Sequence, residues 1–158
     1  MLAGLEVEAV GTARPTPGAA KLIREARRSG RTVATVSNNS SAAIRAYLQH
    51  HDLADDIALV LGRDSSDPDL MKPSPYLVRA AVGILDAQGR HCVFVGDSPS
   101  DVLAGLLAGV PFIGYAPTPA KARALADAGA RALATNMNEI TTAIRVQPAA
   151  SVAELTRI

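Results

Sequence analysis

The sequence predicts an α/β domain with a mostly parallel sheet. Short apolar or β-branched runs alternate with longer segments of helical period, and this alternation is typical of parallel strands joined by crossover helices. The 158 residues, 48% of them hydrophobic, suffice to bury one core. The only cysteine, Cys92, cannot form an internal disulfide, so the predicted domain depends on that core for its stability.

The chain divides into three parts. We expect an N-terminal segment over residues 1–14, a core domain over residues 15–146 and a C-terminal tail over residues 147–158. No internal repeat or low-complexity linker interrupts the middle part, so we expect it to fold as one domain.

The first elements of the core domain are a helix, a strand, a second helix and a second strand. Apolar residues recur with helical period over residues 19–26, and Gly30 ends this helix. The β-branched run 32–36 predicts a buried strand. After a polar turn, the apolar stripe over residues 44–48 predicts a helix, and the apolar run 57–61 predicts the next strand.

A polar loop separates these elements from the next pair. Residues 62–72 contain three aspartates and no apolar period, which predicts a loop. An apolar stripe over residues 77–85 then predicts a helix, and the apolar run 92–95 predicts a strand that ends at Gly96.

The rest of the core domain continues the same alternation. Helical periods cover residues 99–109, 120–128 and 137–144, and glycine ends the first two of these helices. Short apolar runs at residues 111–114 and 131–134 predict the intervening strands.

Charge and hydropathy exclude several classes of protein. The net charge of +1 lacks the basic excess of a chain that coats nucleic acid or an anionic membrane. No apolar run approaches the roughly 20 residues of a membrane-spanning helix. The first ten residues carry Glu6 and Glu8 instead of the basic start of a signal peptide, so we expect a cytoplasmic protein with neither nucleic acid nor membrane as a partner.

Polar residues follow the first predicted strand, where ligands bind in open α/β sheets. The segment Ser37-Asn38-Asn39-Ser40 leads into a helix, whose free N–H groups and dipole favour an anion. Serine and asparagine are also ordinary helix caps, and capping explains the segment equally well. Lys72, one of only three lysines, adds a cation at the end of the polar loop, although a loop lysine alone is usually a solvated charge.

Two aspartates follow the strand at residues 92–95. Asp101 falls in the first turn of the next helix, where the dipole favours a negative charge, but Asp97 lies before that helix. Two carboxylates this close in sequence need a cation or a proton between them. Mg²⁺ is typically held by one or two carboxylates with water and phosphate oxygens, so the residues predict a site for phosphate and magnesium.

These segments, in this order, resemble motifs II, III and IV of the haloacid dehalogenase-like (HAD) hydrolases, in the phosphoglycolate phosphatase-like branch. The resemblance runs from about residue 16 to residue 144 and implies a Rossmannoid three-layer α/β/α sandwich. It implies that Ser37 and Asn38 bind the phosphoryl group and that Lys72 neutralises its charge and holds a nucleophilic carboxylate, with catalytic roles for Ser37 and Lys72. It further implies that Asp97 ligates Mg²⁺, that Asp101 supports the metal shell, and that the substrate is a small phosphorylated metabolite.

The first motif of that family, Asp-x-Asp-Gly-Thr, is absent from the sequence. In the family its first aspartate attacks phosphorus to form an aspartyl-phosphate, and its second transfers the proton. The only Gly-Thr pair, Gly11-Thr12, aligns Glu8 with the nucleophile and Val10 with the acid/base. Valine cannot transfer a proton and glutamate is one methylene too long, so we expect this chain alone to be inactive.

The N-terminal segment allows two interpretations. Residues 5–10 look like the end of the inserted cap of larger relatives, in which case the natural protein extends upstream of Met1 and carries the nucleophile and the cap there. In the family the first strand lies at the centre of the sheet, so its absence predicts a gap. The alternating pattern of residues 5–10 also allows a strand that fills this gap, pairs with a second copy in a homodimer, or runs across the surface. A strand in the gap would bring Glu8 near Asp97.

Three functions remain as alternatives at this point. The first is the core of a magnesium-dependent phosphatase that acts on a small phosphate monoester, and the second is a non-catalytic domain that binds phosphate or metal. The third, a receiver domain of two-component signalling, fits poorly because its acidic residues belong early in the chain, whereas this carboxylate pair follows a late strand.

Other polar residues have simpler explanations. The aspartates of the polar loop predict a solvated segment, Cys92 predicts a buried thiol, and Lys21 and Lys121 predict helix surface. Arg63 and Tyr115 are candidates to line a substrate pocket by position alone.

Overall fold

The computed structural model describes residues 2–64 and 67–146 and contains two small parallel sheets. The first sheet pairs β1 with β2, and the second has the order β3-β4-β5. The strands are β1 (Ala34–Val36), β2 (Leu59–Leu61), β3 (Phe94–Gly96), β4 (Phe112–Tyr115) and β5 (Leu133–Ala134). Every strand overlaps the run that predicted it, although four of the five begin two residues later than predicted. The α/β class with parallel pairing is confirmed.

Helices connect the strands in the order that the apolar periods predicted. They are α1 (Leu2–Val10), α2 (Ala19–Arg28), α3 (Ser41–His50), α4 (Tyr76–Ile84), α5 (Pro99–Ala108), α6 (Pro119–Asp127) and α7 (Met137–Val146). The predicted polar loop after β2 contains one short 3₁₀ turn, Pro68–Leu70. The predicted tail, residues 147–158, lies outside the described residues.

The N-terminal segment is a helix, so the alternative in which residues 5–10 form a strand is wrong. Helix α1 packs against α3 and does not pair with either sheet. Its sequence is rich in alanine, leucine and glutamate, which are strong helix formers, and this preference outweighs the short alternation of apolar and acidic residues. Glu8 is an exposed residue of this helix and not a strand residue next to Asp97.

The interruption expected in the sheet is present. No strand in the described part of the chain pairs with the second edge of β1 or of β3. One apolar cluster nevertheless contains both Val36 of β1 and Phe94 of β3, packed with Val78 of α4 and Ala104 of α5. Helices α4 and α5 therefore join the two sheets through this cluster, which includes the last residue of β1 and the first residue of β3.

None of the helices within the described ranges has both the length and the apolar character needed to cross a membrane.

Candidate functional site

Ser37 and Asn38 follow β1 directly. The Ser37 N–H extends the parallel ladder by donating to Leu61 O at 3.0 Å, and the Ser37 hydroxyl oxygen accepts from the Asn39 N–H at 3.1 Å. The latter bond leaves the hydroxyl hydrogen available to an anion. The Asn38 side chain accepts from Lys72 N at 2.8 Å and donates to Lys72 O at 3.0 Å, so it holds the backbone of Lys72 beside β1.

Carboxylates of the chain itself lie at the N-terminus of α3. Ser40 caps the helix by accepting from Ala43 N, and the Glu6 carboxylate accepts from Ser40 N at 2.9 Å. Asp64 accepts from both the N–H and the hydroxyl of Ser41, at 3.2 and 2.7 Å. Asp64 therefore contributes to this cap, while it lies in the loop and is exposed, as the sequence predicted.

Gly62 lets the end of β2 approach the start of α3. A Cβ at this position would lie 2.4 Å from Ser41 N and 2.6 Å from Asn39 O, both of which are backbone atoms. In the space that the glycine leaves, its own N–H donates to the Ser41 hydroxyl at 2.9 Å. A glycine after a strand is common in any turn, so the sequence alone does not mark Gly62 as special.

An ion pair between Glu6 and Arg63 fastens α1 to this region. Arg63 Nη2 lies 2.6 Å from Glu6 Oε1, and Arg63 Nε donates to Asn38 O at 3.1 Å. The Arg63 side chain is therefore occupied by internal partners and not directed at a substrate pocket. The Ser40 N–H and hydroxyl, followed by the charge of Arg63, lower the pKa of Glu6 below its usual range.

Glu6→Gln is expected to lower the melting temperature by a few degrees at neutral pH, because the change removes the charge that Arg63 and Ser40 bind. A depressed carboxyl pKa stabilises the fold above the ordinary glutamate pKa, and this contribution disappears as the pH falls through the lowered value. The difference from the unsubstituted protein should therefore shrink in acid. Thermal unfolding across the acidic range measures it, with Glu8→Gln on the same helix as the control. Equal effects of the two substitutions would contradict a specific role for Glu6.

Lys72 lies between the two sheets. Its ammonium donates to Asp101 Oδ1 at 2.5 Å and to Val36 O, the last carbonyl of β1, at 3.3 Å. The ammonium is also 5.7 Å from the centre of the Phe94 ring. Its side chain is 11% exposed and that of Asp101 is 7% exposed, so this ion pair is nearly buried.

Asp101 connects the start of α5 to Lys72. Its Oδ2 accepts from the N–H groups of Asp97 and Ser98, both at 3.1 Å, and from the Ser98 hydroxyl at 2.7 Å. Ser98 and Asp101 thus form a capping box at the helix N-terminus. Burial alone would raise the pKa of Asp101, but the hydrogen bond and charge of Lys72, with the Ser98 hydroxyl, hold that pKa below its usual range.

Asp97 presents its carboxylate to solvent and to Lys121. The side chain is 57% exposed, and it forms an ion pair with the ammonium of Lys121, in the first turn of α6. The prediction that Lys121 is ordinary helix surface is therefore corrected, because its ammonium has this acidic partner. Each aspartate of the motif therefore has its own lysine, Lys72 for Asp101 and Lys121 for Asp97.

The carboxylates of Asp97 and Asp101 suit a magnesium ion that is bound directly by one of them. Across residues 2–64 and 67–146, no group of three or more His, Cys, Asp or Glu side chains is placed to hold a metal. Both oxygens of Asp101 are bound by protein donors, whereas the Asp97 carboxylate is exposed. Mg²⁺ commonly takes one or two carboxylates and completes its shell with water and phosphate oxygens, so Asp97 fits it as the direct ligand.

The remaining candidates lie apart from these contacts. Cys92 precedes β3 and is half-buried, and burial raises the pKa of its thiol, which disfavours the reactive thiolate. Tyr115 is the last residue of β4 and is half-buried.

A family model and several relatives match the chain. The model for haloacid dehalogenase-like hydrolases matches residues 3–109. A phosphoglycolate phosphatase from Rhodospirillum rubrum is 34% identical over 97 residues, which cover 61% of this chain and 39% of the relative. One from Rhodobacter capsulatus is 32% identical over 107 residues, which cover 65% and 47%. The chain thus spans less than half the length of these two relatives.

The fold is similar to that of solved hydrolases. A HAD family hydrolase from Deinococcus radiodurans, crystallised with bound phosphate and sodium, superposes with a TM-score of 0.73 and 27% identity, covering 82% of this chain and 58% of that one. The family match extends over more than half of the chain. This chain therefore belongs to the haloacid dehalogenase-like hydrolase family.

Proposed function

We propose that this chain carries the phosphate- and magnesium-binding part of a phosphatase that acts on a small phosphate monoester through an aspartyl-phosphate. The observation that carries the proposal is the nearly buried Lys72 ammonium, which bridges the end of β1 and the start of α5. Ser37 and Asp97 follow the same two strands, β1 and β3, at their carboxyl ends. This edge of a parallel sheet is where ligands bind in open α/β folds.

Each residue has a chemical task in the proposed site. The Ser37 hydroxyl donates to an oxygen of the phosphoryl group, and Lys72 supplies the positive charge that offsets the negative charge of that group. Asp97 holds the metal, and Asp101 keeps both Lys72 and the Asp97 backbone in place through its four hydrogen bonds. Mg²⁺, when bound, supplies charge neutralisation at the phosphate oxygens.

The proposed reaction also needs a carboxylate that attacks phosphorus. Among the described residues, Asp101 is the one carboxylate in contact with Lys72, and its two oxygens are already bound to protein donors. Glu8, which the alignment of Gly11-Thr12 offers as a substitute, is exposed on α1. We therefore expect the chain alone to bind phosphate and magnesium without turning over a substrate.

The same observation favours a second candidate function, a domain that binds phosphate or metal without catalysis. In that case Lys72 and Asp97 would hold a ligand permanently.

An assay of the purified chain tests the binding site that both functions share. We expect no hydrolysis of an aryl phosphate with Mg²⁺, but a rise in melting temperature when inorganic phosphate and Mg²⁺ are added together. Asp97→Ala should abolish the magnesium-dependent part of this rise. Ser37→Ala should lower the apparent affinity for phosphate about tenfold. Asp127→Ala, which alters an exposed aspartate at the end of α6, is the matched control.

Stabilisation without hydrolysis agrees with both functions, so hydrolysis is the outcome that discriminates between them. Hydrolysis that Asp97→Ala abolishes would exclude the non-catalytic alternative and would also contradict the absence of a working nucleophile. If the chain showed neither hydrolysis nor stabilisation by phosphate and Mg²⁺, both functions would be overturned.

A further inference from the structure

We propose that Lys121 competes with the divalent cation for Asp97, so that the ammonium occupies the carboxylate until the metal displaces it. This inference rests on the proposed function in one respect, namely that Asp97 is the metal ligand. It adds a residue to the site that the motifs of the sequence do not include.

Lys121 places a positive charge at an unfavourable position in α6. Thr118 caps α6 by accepting from Lys121 N at 3.3 Å, and Pro119 occupies the first turn, so Lys121 lies within that turn. A positive charge in the first turn is unfavourable because the helix dipole is positive there. No acidic residue lies in the first turn of α6 to offset this charge, and Asp97, 24 residues earlier, is the partner that does so.

A metal can replace the lysine in the ion pair at Asp97 more easily than in the ion pair at Asp101. Lys121 is 36% exposed and Asp97 is 57% exposed, whereas Lys72 and Asp101 are 11% and 7% exposed. Water can solvate a displaced Lys121 ammonium, and exposed ion pairs are weak. A hard divalent cation with its own water ligands can therefore take the Asp97 oxygens from Lys121, while Lys72 remains bound to Asp101.

The competition predicts that removing the lysine strengthens metal binding. In Lys121→Met, Mg²⁺ no longer has to displace an ammonium and meets no positive charge beside Asp97. We expect the Kd for Mg²⁺ to fall about threefold to fivefold, which is the upper part of the range that exposed ion pairs span. Lys21→Met is the matched control, because Lys21 lies on α2 and its ammonium is 3.5 Å from Asn138 Oδ1.

The experiment is a titration of the chain with Mg²⁺ in the presence of inorganic phosphate. Calorimetry measures the Kd, and NMR of ¹³C-labelled lysine monitors the Lys121 side chain. The Lys121 methylene signal should shift on addition of Mg²⁺ in the unsubstituted chain and should not shift in Asp97→Asn. An unchanged or larger Kd in Lys121→Met would overturn the inference. Magnesium binding that persists in Asp97→Asn would instead refute Asp97 as the ligand in the proposed function, and no binding in any variant would overturn both.

Discussion

Lys72→Met should lower the free energy of unfolding by about 3 kcal/mol, because it leaves the Asp101 carboxylate buried without its ammonium partner. The two side chains are 11% and 7% exposed, so water is a poor substitute for the lost partner. Methionine retains an apolar chain of similar length beside Phe94, which limits the loss of packing. Chemical denaturation measures the difference, and Lys21→Met should change the free energy of unfolding by less than about 0.5 kcal/mol.

The pH dependence of this loss provides a second test. Because the pKa of Asp101 is lowered in the fold, its charge stabilises the protein above the ordinary aspartate pKa, about pH 4, and this contribution disappears as the pH falls through the lowered value. The difference between Lys72→Met and the unsubstituted protein should therefore narrow in acid. Adding Asp101→Asn to Lys72→Met should recover part of the loss at neutral pH, and a strictly additive double substitution would show that the two residues do not interact.

The order of strands and helices followed from the sequence because each element has its own local signal. The apolar period, a proline at the helix start and a glycine at the helix end predict the bounds of α5 to within one residue of those observed. Helix α1 was the exception. Its segment 5–10 has a strand-like alternation, and what holds it as a helix on α3 includes Glu6 contacts with Ser40 and Arg63, which are 34 and 57 residues away.

The candidate site was predictable in its members but not in its pairing. Parallel strands bring their carboxyl ends to one edge, so Ser37, Lys72 and Asp97 could be expected near one another. Which lysine neutralises which aspartate depends on where α6 begins relative to β3, and no local pattern in the sequence encodes that distance. Lys121 was missed for this reason, although a lysine in the first turn of a capped helix was a signal that an acidic partner lay nearby.

Gly96→Ala is expected to disrupt the site and to destabilise the fold by about 1–3 kcal/mol, as overpacking does. Gly96 is the last residue of β3, and a Cβ there would lie 2.6 Å from Asp101 Cβ and 2.8 Å from Asp101 Cγ. The Asp101 Cβ is attached to the backbone of α5 and cannot rotate away. The helix would have to shift as a unit, and that shift would lengthen the bonds from Asp101 to Ser98 and Lys72.

Gly83→Ala is the matched control, because a Cβ at this position in α4 would meet no described atom within 4 Å apart from its chain neighbours and the nearby backbone of its own helix. Alanine favours a helix interior over glycine, so this control should leave stability unchanged or raise it by up to about 1 kcal/mol. Denaturation of both variants measures the effect on stability. The change in melting temperature on addition of phosphate and Mg²⁺ measures the effect on ligand binding. Gly96→Ala should lose stability and ligand response together, since both depend on Asp101 holding Lys72 and the Asp97 backbone. A variant that retained both would show that the approach of β3 to α5 is not what positions the site.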